Sequence, residues 1–303
     1  MSILNRTSDG LLSVLVALRR ALVAYGPQEE DRLLALCAPP SVVPAGKPEM
    51  ARRTLTRWKQ LGVFEEIEGR IQLHPDVALV MPDDLEGFRR ALLPFVLAPR
   101  NNPLLVENRQ DSDGEGGENS LASDFARAAA WVLAQDPYAF SAKHSDVDRL
   151  QAQQKVVPIP FINNTRWNGF EEWAPFLGVA WTASRVGLVP DPAFAVRSAM
   201  TEVFAGIAEL AQEVFLARLA QTLPIVDGGQ YWRAVERQVE RPWRRIQEHE
   251  VSPCLSLALL HLESGRDIRL ETRSDAPQKV LLGRGGRELR LVSHVVRLGA
   301  SHV

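Results

Sequence analysis

The sequence predicts a mainly α-helical α+β protein with small β-hairpins, built as tandem winged-helix-like domains joined by a helical middle region. Three observations lead there. Three helical segments precede an alternating stretch with a central Glu-Gly pair. A polar, glycine-rich segment interrupts the chain near its first third. Close to the C-terminus, an apolar helix is followed by alternating, arginine-rich stretches. The expected boundaries are 1–82 for an N-terminal winged helix and 83–120 for a helix with an acidic linker. Residues 121–204 follow as a helical middle domain, and 205–303 as a C-terminal winged-helix-like domain.

In the first domain, Thr7, Ser8 and Asp9 offer capping oxygens to a helix over 9–25 that Gly26-Pro27 closes. A second helix is expected over 27–38, with Pro27 in its first turn and Glu29, Glu30 and Asp31 at its positive end. A third spans 48–61 and stops at Gly62. Phe64 and Ile67 then face Ile71 and Leu73 across Glu68-Gly69, a hairpin signal. The order is that of a winged helix, in which the third helix is presented and the hairpin is the wing.

Residues 83–98 read as a helix that Pro94 kinks or ends, and 107–120 as a flexible linker. Helices are expected over 124–135, 193–204, 205–222, 229–249 and 252–264, the last with Ser252 as N-cap and Pro253 at its first position. Trp167, Trp173 and Trp181 lie in an aromatic-rich segment and are expected in the core, although exposed indoles would stack single-stranded bases. Stretches 268–273 and 279–284 alternate as the arms of a hairpin, and 289–296 as a third strand.

The 303 residues are 46% hydrophobic and carry a formal charge of −2, so nothing draws the whole chain to nucleic acid. The charge is uneven. Residues 1–100 hold 13 Lys/Arg against 12 Asp/Glu, 101–230 hold 9 against 16, and 231–303 hold 13 against 9. Cys37 and Cys254 are isolated, which excludes a disulfide framework and a cysteine zinc site and fits a reducing compartment. The apolar stretch 11–18 is too short to cross a bilayer, and the expected location is cytoplasmic.

The candidate site follows from the third helix. At about 100° per residue, Met50, Ala51, Thr54, Leu55, Trp58 and Leu61 gather on one side. Arg52, Arg53, Thr56, Lys59 and Gln60 gather on the other, with Arg57 at the margin. Arginine and glutamine there can read base edges while the rest hold phosphates. The same residues also suit a solvated face or a protein contact. Glu65, Glu66 and Glu68 on the wing would repel phosphates, and Arg70 would attract them. In the last domain, Arg273, Lys279, Arg284 and Arg287 are further candidates for backbone contact, against the alternative of a solvated hairpin. The helix 252–264, apolar on nearly every side, suits packing or a homodimer interface.

No signal of catalysis is complete. Asp111–Gly116 opens like a calcium loop, but Ala122 stands where the bidentate glutamate belongs. Gly283-Arg284-Gly285-Gly286 lacks the Gly-Lys-Ser/Thr of a phosphate-gripping loop. The histidines show no metal-binding spacing. No enzyme activity, cofactor or metal is therefore expected.

The opening MSILNRTSDGLLSVLVALRRAL (1–22) and the closing RSDAPQKVLLGRGGRELRLVSHVV (273–296) resemble the DpdG family. That resemblance implies an accessory subunit of bacterial loci that place 7-deazapurine bases in DNA and restrict foreign DNA, working beside other subunits of a defence complex. Three roles stand open on the residues: a subunit that binds or tethers double-stranded DNA, a scaffold that contacts only proteins, and a winged-helix transcription regulator.

Overall fold

The computed structural model describes residues 3–4, 11–38, 48–81, 83–106 and 121–299. The proposed caps Thr7, Ser8 and Asp9 and the linker 107–120 lie outside these. The described residues are mostly helical with four small sheets, an α+β arrangement. It divides into two compact units. One comprises 1–126 with 161–173, the other 127–160 with 174–303, and all three boundaries fall within 121–204.

The first unit opens with α1 (Leu12–Tyr25), α2 (Glu30–Cys37) and α3 (Pro48–Gln60), followed by β1 (Phe64–Ile67) and β2 (Arg70–Leu73). The strands pair antiparallel around Glu68-Gly69, whose φ values of 52° and 74° are the positive pair that a two-residue hairpin turn needs. Helix α2 starts three residues later than expected. Gln28 exchanges two backbone hydrogen bonds with Ile71 (3.1 and 2.7 Å), so the segment containing Pro27 is drawn toward the hairpin rather than into a first helical turn. Next comes α4 (Pro75–Ala78), whose first amides are met by the His74 ring, with Asp76 N donating to Nδ1 at 3.3 Å. Helix α5 (Leu85–Leu97) is capped by Asp84, which accepts from Gly87 N at 2.6 Å, and it runs through Pro94 rather than ending there. The short α6 (Pro103–Val106) follows.

Helices α7 (Ser123–Leu133), α8 (His144–Gln154) and α9 (Asn164–Phe176) come next. The Phe161–Trp173 stretch completes the first core. Trp58 of α3 meets Trp173 with ring centroids 5.3 Å apart, and Phe170 stacks among Phe125, Phe161 and Trp167. Gly169 is required there, because a Cβ would lie 2.2 Å from the carbonyl oxygen of buried Leu4. Trp167 and Trp173 are core residues, as expected. Trp181 is not: it stands half-exposed on a strand.

The second unit carries the hairpin β3 (Ala180–Ala183) and β4 (Gly187–Pro190), then α10 (Ala193–Phe204). The helix expected from 205 begins only after Ala205-Gly206, both at positive φ, and after β5 (Glu209–Ala211), as α11 (Gln212–Thr222). Helix α12 (Gln230–Gln238) ends well before 249, because Val239 bridges to Val156 and Pro242 follows. Then come β6 (Glu250–Val251), α13 (Pro253–Ser264), β7 (Ile268–Glu271), β8 (Lys279–Leu282), β9 (Glu288–Val292) and β10 (His294–Arg297).

The expected hairpin of 268–273 with 279–284 does not form. β7 pairs with β10, whose other neighbour is β5, while β8 lies between β6, parallel to it, and β9. The strand expected over 289–296 breaks at Ser293. That residue's amide reaches Glu271 O and its carbonyl accepts from Gln212 N, both at 2.8 Å, so one half serves each sheet. Helix α13 packs on α10, β7 and β8, which covers its apolar faces within the unit.

Asp227 anchors the start of α13. Its Oδ2 accepts Ser252 N at 2.7 Å and its Oδ1 accepts the Ser252 hydroxyl at 2.6 Å, while Ser252 Oγ accepts from Leu255 N. Desolvation by the surrounding protein pushes the Asp227 carboxyl up, against the opposing pull of the two Ser252 hydrogen bonds. A raised folded-state value means that its stabilising contribution is present below the ordinary carboxylate range, about pH 4, and is lost as pH rises through the folded value. The unfolding free energy of the wild type minus that of Asp227→Asn, taken from urea titrations across pH, should therefore fall as pH rises above about 4 and then level. A difference that stays flat contradicts this role.

Candidate nucleic-acid interface

Ala51, Thr54, Leu55 and Trp58 of helix α3, with Leu61 just beyond its end, are buried, the face that helix periodicity assigns to the core. Arg57 joins them at 0% exposure, which corrects its place at the margin between the two faces. The reason is spacing: 54, 57, 58 and 61 follow the i, i+3, i+4, i+7 row of one helix face. Its Nη1 donates to Gln60 Oε1 at 3.0 Å, so the guanidinium and the Gln60 amide engage one another.

The exposed cations of α3 are held by carboxylates. Arg52 bonds Glu30 at 2.5 Å and Asp31 at 2.9 Å, both in the first turn of α2, and the Asp31 hydrogen bond foremost raises its pKa. Arg53 pairs with Glu49 one turn back at 3.1 Å. Lys59 reaches Glu66 on β1 at 2.5 Å and Glu30 at 3.8 Å. Thr56 is half-buried, and Arg70 is exposed at the hairpin turn. Three cations thus share their surroundings with four carboxylates, Glu30, Asp31, Glu49 and Glu66, whose charge offsets the attraction that Arg52 or Lys59 would exert on a phosphate.

The C-terminal candidates separate. Arg273 is clamped by Glu209 and Glu271, each at 2.6 Å, and the Glu209 hydrogen bond foremost drives its pKa upward. The same arginine holds both carboxyls below their ordinary range. Lys279 Nζ donates to the carbonyl of Glu248. Arg284 and Arg287 stand exposed on either side of Gly285-Gly286, and neither makes an ion pair among the described residues. Their turn is fixed: Gly285 N donates to Asp136 at 2.7 Å, and Arg244 Nη1 bonds Gly286 O at 3.2 Å.

A feature that helix periodicity does not expose lies beside α5. Leu79, Val80, Met81, Ala91, Pro94 and Phe95 line a groove of roughly 410 Å³ with Asp76, Asp84 and Arg90 at its polar edges. Leu79 is 84% exposed and Met81 71%. Arg19, buried in α1, donates to the carbonyls of Val80 (3.0 Å) and Met81 (2.6 Å) and lies 4.6 Å over the Phe88 ring. Burial lowers the pKa of Arg19, with Asp84 opposing that shift. An arginine among the leucines of α1 is the signal in the sequence, but its partners lie some sixty residues away.

Among the described residues, no group of three His, Cys, Asp or Glu side chains is placed to hold a metal, and no helix is long and apolar enough to cross a membrane.

These features define a helix-rich α+β protein that presents an ion-paired basic helix and a fixed apolar groove. Residues 1–276 match the family described as DpdG-like, and the chain belongs to that family. The family is associated with Dpd DNA modification systems. No curated protein and no solved structure matches the chain.

The two kinds of arginine on α3 should behave oppositely. Arg57→Ala is expected to cost about 3 kcal/mol or more, as loss of a buried, bonded cation does. Arg52→Ala should cost less than about 1 kcal/mol, because exposed ion pairs are weak and salt-screened. Guanidinium titrations of both variants check the order, and equal losses would contradict the placement.

Proposed function

We propose that the chain is a non-catalytic accessory subunit of a Dpd DNA modification or restriction complex, and that the groove beside α5 docks another protein of that system. The observation that carries this is the pair Leu79 and Met81, large apolar side chains held out in solvent on a backbone fixed by Arg19. Exposed apolar clusters with polar edges mark protein contacts, and ordering the surface before binding lowers the entropy lost on association. Helices α1 to α3 with β1 and β2 follow the order of a winged helix, and we read the module as one used for protein contact, its presented helix being neutralised by α2 and the wing. The family's association with Dpd systems supports the partner's identity.

A second reading, tethering to double-stranded DNA, is favoured by Arg284 and Arg287, exposed cations on a pinned turn. It would act through the phosphate backbone.

Co-expression with the other Dpd components tests the first reading. Leu79→Glu with Met81→Glu should abolish co-purification while leaving the circular dichroism and melting profile intact. Retention of the partners would defeat it. Duplex binding at low salt tests the second reading, which predicts weaker binding for Arg284→Glu/Arg287→Glu. The salt slope should also become shallower by roughly 0.9 for each phosphate no longer neutralised. The same assay on Arg52→Glu/Arg53→Glu should show no change.

A further inference from the structure

Asp191 sits between Pro190 and Pro192 and is almost fully buried. Its Oδ1 accepts the Ala193 amide at 2.9 Å, which satisfies a free donor at the start of α10. Its Oδ2 takes two ring donors from different elements: Nδ1 of His261 on α13 at 2.7 Å, and Nε1 of Trp181 on β3 at 3.2 Å. Neither ring is covered. The His261 side chain is 47% exposed and Trp181 is 45% exposed, the one tryptophan of the chain in that class.

The consequences are geometric. A carboxylate only accepts, so Nδ1 of His261 carries a proton, and in the neutral imidazole the other ring nitrogen, Nε2, is an acceptor. The indole N–H is likewise engaged, so the ring is pinned while ring carbon remains exposed. Tyr138 is exposed as well, and partial burial foremost, with Asp136, Cys254 and Asp191 adding, raises its pKa. A surface indole left to itself needs no buried carboxylate to orient it. An exposed indole and an exposed imidazole held by the same carboxylate oxygen offer a ring face for stacking and, in the neutral imidazole, a hydrogen-bond acceptor. That combination matches a planar heterocycle with an amino or ring N–H group.

We propose that Trp181, His261 and Asp191 form a nucleobase-binding site, in which the base stacks on Trp181 and donates a hydrogen bond to His261 Nε2. Asp191 is the positioning residue for both. The site lies wholly within the second unit and does not rest on the groove beside α5.

Adenosine monophosphate and the single strand d(A)6 serve as probes, titrated into the full chain with intrinsic fluorescence and equilibrium dialysis as readouts. Saturable binding with quenching is expected. Trp181→Ala should weaken it at least tenfold, Trp181→Phe should preserve most of it, and His261→Ala should weaken it several-fold, with melting profiles confirming that each variant folds. Tighter binding of d(A)6 identifies a strand as the source of the base, and equal binding a free nucleotide. Absence of saturable binding of either probe at millimolar concentration overturns the proposal, as does unchanged affinity in a folded Trp181→Ala variant. Loss of Dpd components from Trp181→Ala and His261→Ala, with neither probe bound by the intact chain, also overturns it and makes the patch a protein contact.

Discussion

The surface to which we attribute function depends on one buried cation. Arg19 occupies a position of α1 flanked by the buried Leu15, Leu18 and Leu22, where an uncompensated charge would be costly. It is compensated by two backbone carbonyls and an aromatic face. Those carbonyls belong to the segment that leads into α5, so the bonds that satisfy Arg19 also fix Val80 and Met81. Met81 and the nearby Leu79 are thus displayed for a physical reason: the core contacts the backbone there and leaves the side chains outside.

The presented helix obeys a different constraint. Trp58 against Trp173 and the buried row of Leu55, Arg57 and Leu61 fix the rotation of α3 about its axis. That rotation turns Arg52 and Lys59 toward the acidic start of α2 and toward Glu66, where each cation finds a carboxylate. A helix that is basic when read alone is close to neutral in its setting. Sequence-independent affinity for duplex DNA grows with each phosphate that a cation neutralises, and cations already paired contribute little to it. Arg284 and Arg287 escape this pairing because they flank a glycine turn whose backbone, rather than their guanidinium groups, is tied down.

Local periodicity makes much of the fold legible. The three helices and hairpin of the first unit follow from apolar spacing and from Glu68-Gly69, and the Ser252-Pro253 start of α13 from capping chemistry. Long-range pairing is what the sequence conceals. β7 and β8 alternate like hairpin arms, yet each finds other partners, because Ser293 sends the two halves of one apolar stretch into different sheets. Arg57 departs from its expected place for a related reason: its angular position is marginal, and only the packing of neighbouring elements decides a marginal residue. Trp181 sits in an apolar segment like Trp167, but its strand belongs to a two-stranded hairpin with one open face. The neutralisation of α3 by α2 is out of reach for the same cause, since the pairs join residues about twenty positions apart.

Hydrogen exchange on the full chain, free, with duplex DNA and with the co-purified Dpd components, tests the central claim most directly. Protection should rise over 75–95 when the protein partners are present and stay unchanged over 48–61 when duplex is added. Slowed exchange across 48–61 on adding duplex, with none across 75–95 in the protein complex, would contradict it.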